Sequence, residues 1–235
     1  MEHRGGAEGT ALAAHAGDAA ELDGVRIGSA GAMQLRLPEP PPEGLSYAVF
    51  DFETTGLNPS LHQIIEIGWC VVRDGLAGPV RARLIRVEGG VPPEITQLTG
   101  ITQELLDREG QPLAAALAEF LAETAGLPLV GHNVLRFDMR FLEAACLRTR
   151  LPVPHRSRYR DTAALFKAHK LGLRPRSGQD HWSFANETLN VNAPGTRYSL
   201  DVCCRELGIS TAGIARHRAA ADVILTHLVY RRLTS

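Results

Sequence analysis

The sequence predicts an α/β fold in which a mixed β-sheet is flanked by helices. A β-rich run begins at Tyr47, and two further strand-like segments follow it after short connections, which is typical of an antiparallel meander. Beyond these strands, segments with helical periodicity alternate with a short strand-like segment. With 235 residues, of which 44% are hydrophobic and 22% charged, the chain is long enough to bury one good-sized core.

The three strands at the start of the fold are marked by β-branched and aromatic residues bounded by turn signals. The first is expected at residues 47–53, where it ends in Thr54-Thr55-Gly56. The second and third are expected at residues 64–72 and 79–87. Because the loops between them are short, these strands are predicted to pair in an antiparallel sense.

The helices are predicted from apolar residues that recur on one face. Pro112 suits the first turn of a helix that runs to about residue 125 and carries Leu117 and Phe120 on its apolar face. The remaining predicted elements are a strand at 127–131 and helices at 137–150, 161–170, 199–207 and 218–232.

Two segments depart from this regular pattern. Residues 1–45 are rich in Ala and Gly and end in a proline-rich stretch, which predicts a flexible N-terminal extension ahead of a single domain at 46–235. Within that domain, residues 171–198 are too many for an ordinary connection. We therefore expect an extended loop at 171–198 with a functional role, mobility or both.

Charge balance and the positions of the cysteines disfavour two classes of protein, those that coat nucleic acid and those with a structural zinc site. The formal net charge is −1, from 25 basic and 26 acidic residues, which disfavours a protein that coats nucleic acid through many phosphate contacts. The four cysteines lack Cys-x-x-Cys spacing, which predicts reduced, buried thiols and disfavours a zinc site at the adjacent Cys203 and Cys204. No secretory signal or membrane-spanning apolar run is visible, so we expect a cytoplasmic enzyme without a membrane partner.

Asp51 and Glu53 are the first candidates for chemistry. Residues two apart in a strand face the same side, so these two carboxylates share one small volume while Phe50 and Phe52 face the opposite layer. Two carboxylates so close repel each other unless one is protonated or a cation lies between them. Oxygen-rich sites of this kind suit magnesium or manganese. The alternative is that the pair marks the solvated end of a strand.

Asp138 is the second candidate, at the point where the predicted strand ending in Gly131-His132-Asn133 gives way to a helix. A helix N-terminus favours the ionised form of a carboxylate, which keeps it available as a metal ligand. The alternative is an aspartate that only caps the helix.

His217 and Asp222 form the third candidate pair. On one continuous helix their spacing of five residues would separate them by about 140°. We therefore expect His217 to lie on the loop before the last helix and Asp222 to face inward from its second turn. A histidine there can accept a proton near neutrality. The alternative is a surface histidine whose pKa is depressed by Arg216 and Arg218 unless nearby carboxylates compensate.

Taken in order, these elements resemble the DnaQ-like, or DEDDh, 3'-5' exonuclease family, over residues 47–233. The resemblance is carried by the segments Phe50-Asp51-Phe52-Glu53-Thr54-Thr55-Gly56-Leu57, Ile64-Ile65-Glu66-Ile67-Gly68, Leu98-Thr99-Gly100-Ile101-Thr102, His132-Asn133 with Phe137-Asp138, and His217 with Asp222. Ser199-Leu200-Asp201 with Cys204 and Leu207 also resembles the family's penultimate helix.

The resemblance implies a ribonuclease H-like mixed five-stranded sheet flanked by helices, and two-metal-ion hydrolysis with two Mg²⁺ or Mn²⁺ ions. The expected products are nucleoside 5'-monophosphates released from single-stranded or frayed DNA 3' ends in replication proofreading or repair. The implied roles are metal ligands at Asp51, Glu53, Asp138 and Asp222, a general base at His217, contacts with the terminal nucleotide at Thr54, Leu57, Glu94 and Thr99, and ordering of the loop beneath Asp138 by Asn133.

Alternatives to a DNA exonuclease remain open at the level of sequence. One is a 3'-5' exoribonuclease acting on RNA or oligoribonucleotides, and another is a catalytically silent module that binds nucleic acid or a polymerase. The family's compact members have a shorter connection at 171–198, which here contains Arg174, Arg176, Trp182 and Phe184. Aromatic residues interleaved with arginines suit a lid over a single strand, whereas the alternative is that Trp182 and Phe184 pin the loop onto the core, and we favour pinning.

A short peptide in the extension predicts a protein partner. Gln34, Leu35 and Leu37 resemble the residues by which bacterial replication proteins bind the sliding clamp, with the leucines filling apolar pockets. Arg36 departs from the Ser or Asp usual at the middle position. The expected partners are therefore a single-stranded DNA 3' end and a sliding clamp or DNA polymerase.

Overall fold

The computed structural model describes residues 45–214 and 216–234, together with the backbone of three short strands nearer the N-terminus. These strands, β1 (Glu21–Leu22), β2 (Val25–Ile27) and β3 (Met33–Leu35), pair as a small antiparallel sheet. Part of the N-terminal extension, which the sequence predicts to be flexible, therefore forms β-strands. Gln34 and Leu35 of the predicted clamp peptide lie in β3 by their backbone, whereas their side chains and Leu37 lie outside the described residues.

The main sheet is mixed, as the sequence predicts. Its central strand pairs antiparallel with the strand that follows it and parallel with β8, which in turn pairs parallel with β9. The order across the sheet is β6-β5-β4-β8-β9, with β7 also on β5. The strands are β4 (Tyr47–Thr54), β5 (Ile64–Arg73), β6 (Leu76–Ala77), β7 (Arg81–Leu84), β8 (Leu129–Gly131) and β9 (Tyr159–Asp161).

Within the described residues the sheet contains six strands, arranged five strands wide as the resemblance implies. β6 pairs with residues 72–73 of β5, and β7 pairs with residues 66–69. Since β4 occupies the other edge of β5, β6 and β7 lie end to end along one edge, and the sheet is five strands wide. Pro79 between them explains the interruption, because a proline cannot donate a ladder hydrogen bond.

Helices cover both faces of the sheet, and within residues 45–214 and 216–234 none is long and apolar enough to cross a membrane. The helices are α1 (Pro93–Thr99), α2 (Gln103–Glu109), α3 (Leu113–Glu123), α4 (Asp138–Thr149), α5 (Thr162–Leu171), α6 (His181–Asn190), α7 (Leu200–Glu206) and α8 (Ala219–Thr234).

Alternation along β4 divides the core into two layers. Phe50 and Phe52 pack with Phe120 of α3 on one face, whereas Val49 packs with Val223 of α8 on the other. By the same alternation, Asp51 and Glu53 project toward the face that α8 covers. The four cysteines are free and buried, as predicted.

Residues 171–198 do not form the extended loop that the sequence predicts, because α6 occupies ten of them. Asp180 is the N-cap of this helix and accepts a hydrogen bond from the Ser183 amide at 3.0 Å. Trp182 packs against the core, and the Arg156 guanidinium lies 4.8 Å above its ring. The tryptophan therefore pins this segment onto the domain, which is the alternative that we favour from the sequence.

Candidate active site

A pocket opens where β4 and its parallel neighbour β8 end. The carboxyl ends of parallel strands meet at one edge of a sheet, so the second half of β4 and the turn after Gly131 contribute to the same pocket. The start of α8 and the segment before α7 complete it. The lining residues are Asp51, Phe52, Glu53, His132, Asn133, Phe137, Asp138, Thr196, Arg197, Tyr198, Ser199, Leu200, Arg216, His217 and Asp222.

Asp51, Glu53 and Asp222 form a carboxylate cluster. One carboxylate oxygen from each lies within 4.8 Å of the other two. Within the described residues, neither Asp51 nor Glu53 accepts a hydrogen bond, and the only nearby cation among the causes of the Glu53 pKa shift is Arg218, which lowers that pKa. Burial and then the charges of Asp138, Asp222 and Glu53 raise the pKa of Asp51 well above its usual value. Burial, followed by the charge of Asp222, raises the pKa of Glu53 to about 8.

Asp138 lies beside this cluster and is the first residue of α4, as the sequence predicts. It is only 3% exposed, and its Oδ1 accepts a hydrogen bond from the Phe52 amide at 3.1 Å. Burial raises the pKa of Asp138 to about 7, although the Phe52 N–H lowers it. Its charge makes the largest electrostatic contribution to the raised pKa of Asp51, which places the two carboxylates in one electrostatic environment.

His217 lines the pocket from the loop before α8, as expected from its spacing. Its backbone is left-handed, with φ of 61°, a conformation that costs a non-glycine residue about 1 kcal/mol or more. Asp222 lies in the first turn of α8, rather than in the second turn as predicted, because the helix begins at Ala219. The loop and the helix start together bring the histidine and the carboxylate into the same pocket.

The arginines on either side of His217 are both paired with carboxylates. Arg216 donates from Nη1 to Asp222 Oδ1 at 2.5 Å and from Nε to Asp201 Oδ1 at 2.8 Å. Burial raises the pKa of Asp222, and Arg216 and then His217 lower it. Arg218 pairs with Glu66. The compensating carboxylates on which the histidine prediction depends are therefore present, and their identities are not visible from the sequence.

Asp161 supports the turn that precedes Asp138, a role that the sequence analysis missed. It is buried and accepts four backbone hydrogen bonds, two of them from Asn133 and Leu135 in the turn. The other two come from Ala163 and Ala164, since Asp161 is also the N-cap of α5. The capping role of Asp161 can be inferred from the sequence. Its hydrogen bonds to the turn before α4 cannot, because they depend on β8 and β9 being adjacent.

His132 joins the same turn to the opposite wall of the pocket. Its Nε2 lies 2.9 Å from the Tyr198 carbonyl oxygen, and its Nδ1 lies 2.9 Å from the Thr162 hydroxyl. Burial lowers the pKa of His132 to about 4, so the imidazole is neutral near pH 7. Asn133 follows with a left-handed backbone and lines the pocket above Asp138.

Comparison with known proteins assigns the family. The sequence model of a family described as Exonuclease (RNase_T) matches residues 48–230. The chain belongs to this exonuclease family. It is also 31% identical over 194 residues to the DNA polymerase III subunit epsilon of Rickettsia typhi, covering 79% of this chain and 72% of that one. These matches confirm the DnaQ-like resemblance.

Two further similarities are partial. The exonuclease is 32% identical over 190 residues to the PolC-type DNA polymerase III of Thermotoga petrophila, covering 81% of this chain but only 12% of that relative. A zinc-bound complex of E. coli ExoI with single-stranded DNA superimposes with a TM-score of 0.64 at 18% identity, over 82% of this chain and 41% of the ExoI chain. The ExoI likeness confirms the ribonuclease H-like fold.

The four residues predicted to touch the terminal nucleotide lie outside the lining of this pocket. Leu57 is 80% exposed, and Glu94 is exposed on α1. Thr54 and Thr99 are buried and use their hydroxyls locally, the first donating to Gly56 O and the second to Ile95 O. The structure thus brings together the acidic residues, His217 and Asn133, while the contacts of these four with a nucleotide stay predictions.

The carboxylate cluster fits a divalent cation. This exonuclease family depends on divalent metal ions, and hard cations such as Mg²⁺ prefer oxygen ligands. Three carboxylate oxygens within 4.8 Å of one another, with raised pKa values and few protein donors, are a donor set of that kind.

Proposed function

We propose that this exonuclease removes nucleoside 5'-monophosphates from the 3' ends of single-stranded or frayed DNA. The observation that carries the proposal is the cluster of Asp51, Glu53 and Asp222 in one pocket with His217. The polymerase relatives support DNA as the substrate, because epsilon and PolC are named as parts of DNA polymerase III. They also support a role in replication proofreading or repair.

Asp51, Glu53, Asp138 and Asp222 are proposed to hold two Mg²⁺ or Mn²⁺ ions. The chemistry that such a pair supplies when bound is stabilisation of negative charge on the attacking and leaving oxygens of a phosphodiester. The side chains of this chain contribute the ligand oxygens and hold them at the end of β4 and the start of α8. Asp138 keeps one oxygen on the Phe52 amide, which fixes its orientation toward the cluster.

His217 is proposed to accept the proton of the attacking water. A general base must lie within hydrogen-bond reach of the proton it removes, and His217 lines the pocket that contains the carboxylates. The pairing of Arg216 with Asp222 and of Arg218 with Glu66 offsets the positive charge on both sides of the imidazole. The histidine can therefore become protonated during the reaction without two uncompensated cations beside it.

The wall opposite the carboxylates is proposed to bind the nucleic-acid strand. It includes Arg197, which is exposed, lines the pocket and forms no ion pair within the described residues. The next residue, Tyr198, is fixed by its carbonyl contact with His132 and by the Lys167 ammonium 5.3 Å from its ring. We propose that Arg197 contacts a backbone phosphate of the strand.

Degradation of end-labelled oligonucleotides tests this function. With Mn²⁺ or Mg²⁺, 5'-labelled single-stranded DNA should shorten stepwise and release mononucleotides, and both EDTA and Asp222→Asn should stop the reaction. If RNA of the same sequence is cleaved faster than the DNA, the proposed substrate would be RNA and not DNA. Lack of cleavage of either strand, with Mn²⁺ still bound, would make the domain a catalytically silent binding module.

The partner of the exonuclease is proposed to be a DNA polymerase or the sliding clamp. The relatives are named as components of a polymerase, and the peptide around Gln34 and Leu37 resembles clamp-binding sequences. Purified clamp should retain the full-length protein but not the variant in which both residues are changed to Ala. Equal retention of the two proteins would reject the peptide as the contact.

A further inference from the structure

Glu66 is a buried carboxylate that the proposed reaction does not use. It is the third residue of β5 and lies directly opposite Glu53 of β4 in the antiparallel register, so the two side chains share a face of the sheet. Glu66 is 1% exposed. A buried carboxylate is costly unless it is paired and hydrogen-bonded, so its partners indicate what it does.

Within the described residues, the hydrogen-bond donors to Glu66 all come from one short stretch of chain, Arg218 and Ala219. Arg218 donates from Nη2 to Oε1 at 2.6 Å and from Nε to Oε2 at 3.1 Å. The backbone amide of Ala219, the first residue of α8, donates to Oε2 at 2.9 Å. Glu66 therefore binds a side chain and also one of the N–H groups that a helix N-terminus leaves without an intrahelical acceptor.

The strand also contacts the start of α8 without side chains between them. Gly68 lies two residues beyond Glu66 on the same face, and it pairs in register with Asp51. A methyl group placed on Gly68 would lie 2.6 Å from the carbonyl carbon of Ala219. The first residue of α8 is therefore seated on β5 immediately beside Asp51.

These contacts adjoin His217, whose left-handed backbone needs support. Arg218 and Ala219 are the next two residues, so the Glu66 contacts fix the chain where it leaves His217 and enters the helix. The Asp222 amide also donates to the Arg218 carbonyl oxygen at 3.0 Å, but Asp222 has a second anchor, because the following residues Val223 and Ile224 are buried in the core of the α8 layer. The contacts thus bear on the histidine more directly than on the carboxylate.

We propose that Glu66 is a positioning residue, which fixes Arg218 and Ala219 so that His217 is held at the proposed site of hydrolysis. The inference rests on the proposed function of His217. Glu66 touches neither substrate nor cation in this scheme, since its oxygens are occupied by Arg218 and Ala219.

A double-mutant cycle with His217 tests this role. Glu66→Gln retains the side-chain shape but replaces one acceptor oxygen with an NH₂ group, so kcat on single-stranded DNA should fall between about 10-fold and 100-fold, the effect of a small misplacement. KM for the oligonucleotide should change little. In the His217→Ala background the same substitution should cost less than about twofold, because the group that it positions is absent.

The matched control is Glu119→Gln. Glu119 also forms a two-hydrogen-bond ion pair, with Arg83, and lies outside the pocket. This substitution should leave kcat unchanged in both backgrounds. An equal loss from Glu66→Gln with and without His217 would overturn the proposal, because it would indicate a general effect on the fold.

Amide hydrogen exchange separates failure of this inference from failure of the proposed function. In Glu66→Gln, exchange at the Ala219 amide should accelerate by about tenfold or more while the sheet amides keep their protection. Unchanged exchange at Ala219 would overturn the inference even if DNA cleavage is confirmed. Where Glu66→Gln does not fold, Arg218→Gln supplies the same test, and its kcat loss should also depend on His217.

Discussion

Two groups of acidic residues in this exonuclease differ in their supply of hydrogen-bond donors. Asp161 accepts four backbone N–H groups, and Glu66 accepts the Arg218 guanidinium and the Ala219 amide. Asp51 and Glu53, by contrast, accept no hydrogen bond from the described residues, although they lie in the same sheet. The first group is saturated with donors, while the second keeps its lone pairs available.

Asp161 and Glu66 are thus more deeply buried and better supplied with donors than Asp51 and Glu53, the two half-buried carboxylates that are proposed as metal ligands. A saturated carboxylate stabilises the turn or helix that supplies its donors. Carboxylates without donors, such as Asp51 and Glu53, destabilise the fold through like-charge repulsion until a cation neutralises them. The following predictions test that division, beginning with the largest expected effect.

Asp51→Asn should have opposite effects on activity and on stability. Exonuclease activity should fall by about 10³-fold or more, since bound cations contribute several kcal/mol and each 1.36 kcal/mol is a factor of ten. In EDTA, however, the variant should unfold at a higher temperature than the wild type, because one of the repelling charges is removed. Parallel cleavage assays and thermal unfolding measure both effects. A variant that loses both activity and metal-free stability would contradict the comparison.

Asp161→Ala should destabilise the fold by about 3 kcal/mol or more, because it leaves several buried N–H groups without an acceptor. Urea unfolding measures the loss. The matched control is Asp180→Ala at the N-cap of α6, where the carboxylate is exposed and serves one helix only. This control should lose much less stability, because only one exposed cap is removed. Equal losses at the two caps would show that the second role of Asp161, in the turn before α4, has no energetic weight.

Stabilisation by Mn²⁺ should increase as the pH rises from 5 to 8. In the metal-free protein the pKa of Glu53 is raised to about 8 and that of Asp138 to about 7, above their unfolded values near 4. Their contribution to stability is therefore fully present below about pH 4 and is lost as the pH rises through 7 and 8. Cation binding to the ionised carboxylates removes that loss.

Thermal unfolding with Mn²⁺ and with EDTA, at several pH values, measures this effect. The buried His227 is a built-in control. Burial lowers its pKa to about 4, so its contribution is present above about pH 6.5 and is lost below it. That loss occurs with or without Mn²⁺ and cancels in the difference. A shift in melting temperature that is constant from pH 5 to 8 would argue against unneutralised carboxylates.

Arg197→Ala, in the wall opposite the carboxylates, should have the smallest effect of these substitutions, and the effect should be on DNA binding. KM for single-stranded DNA should rise several-fold with little change in kcat. The slope of log affinity against log salt concentration should become shallower by about one, which corresponds to the loss of one phosphate contact. Arg176→Ala is the control, because Arg176 is exposed in the neighbouring segment but already pairs with Glu187. If the two variants behave alike, Arg197 has no special contact with the strand.

Much of this architecture can be predicted from local patterns. The β-rich run at Tyr47, the periodicity of the segment after Pro112 and the loop position of His217 all agree with the structure, because each depends on neighbouring residues. The helix α6 is missed, since its ten residues mix polar and aromatic side chains and Trp182 finds its apolar partners only in the folded core. The two-residue strand β6 is too short for any period to be visible.

The candidate site also combines features that the local sequence determines with features that only tertiary contacts determine. The sequence by itself determines that Asp51 and Glu53 share a face, because strand geometry fixes residues two apart. The tertiary structure alone decides that Asp222 joins them and that Asp161 and Glu66 are saturated by donors. The physical reason is that hydrogen bonds and charge repulsion depend on distances through space, and residues as far apart in the chain as Glu66 and Arg218 come together only when the sheet and α8 pack.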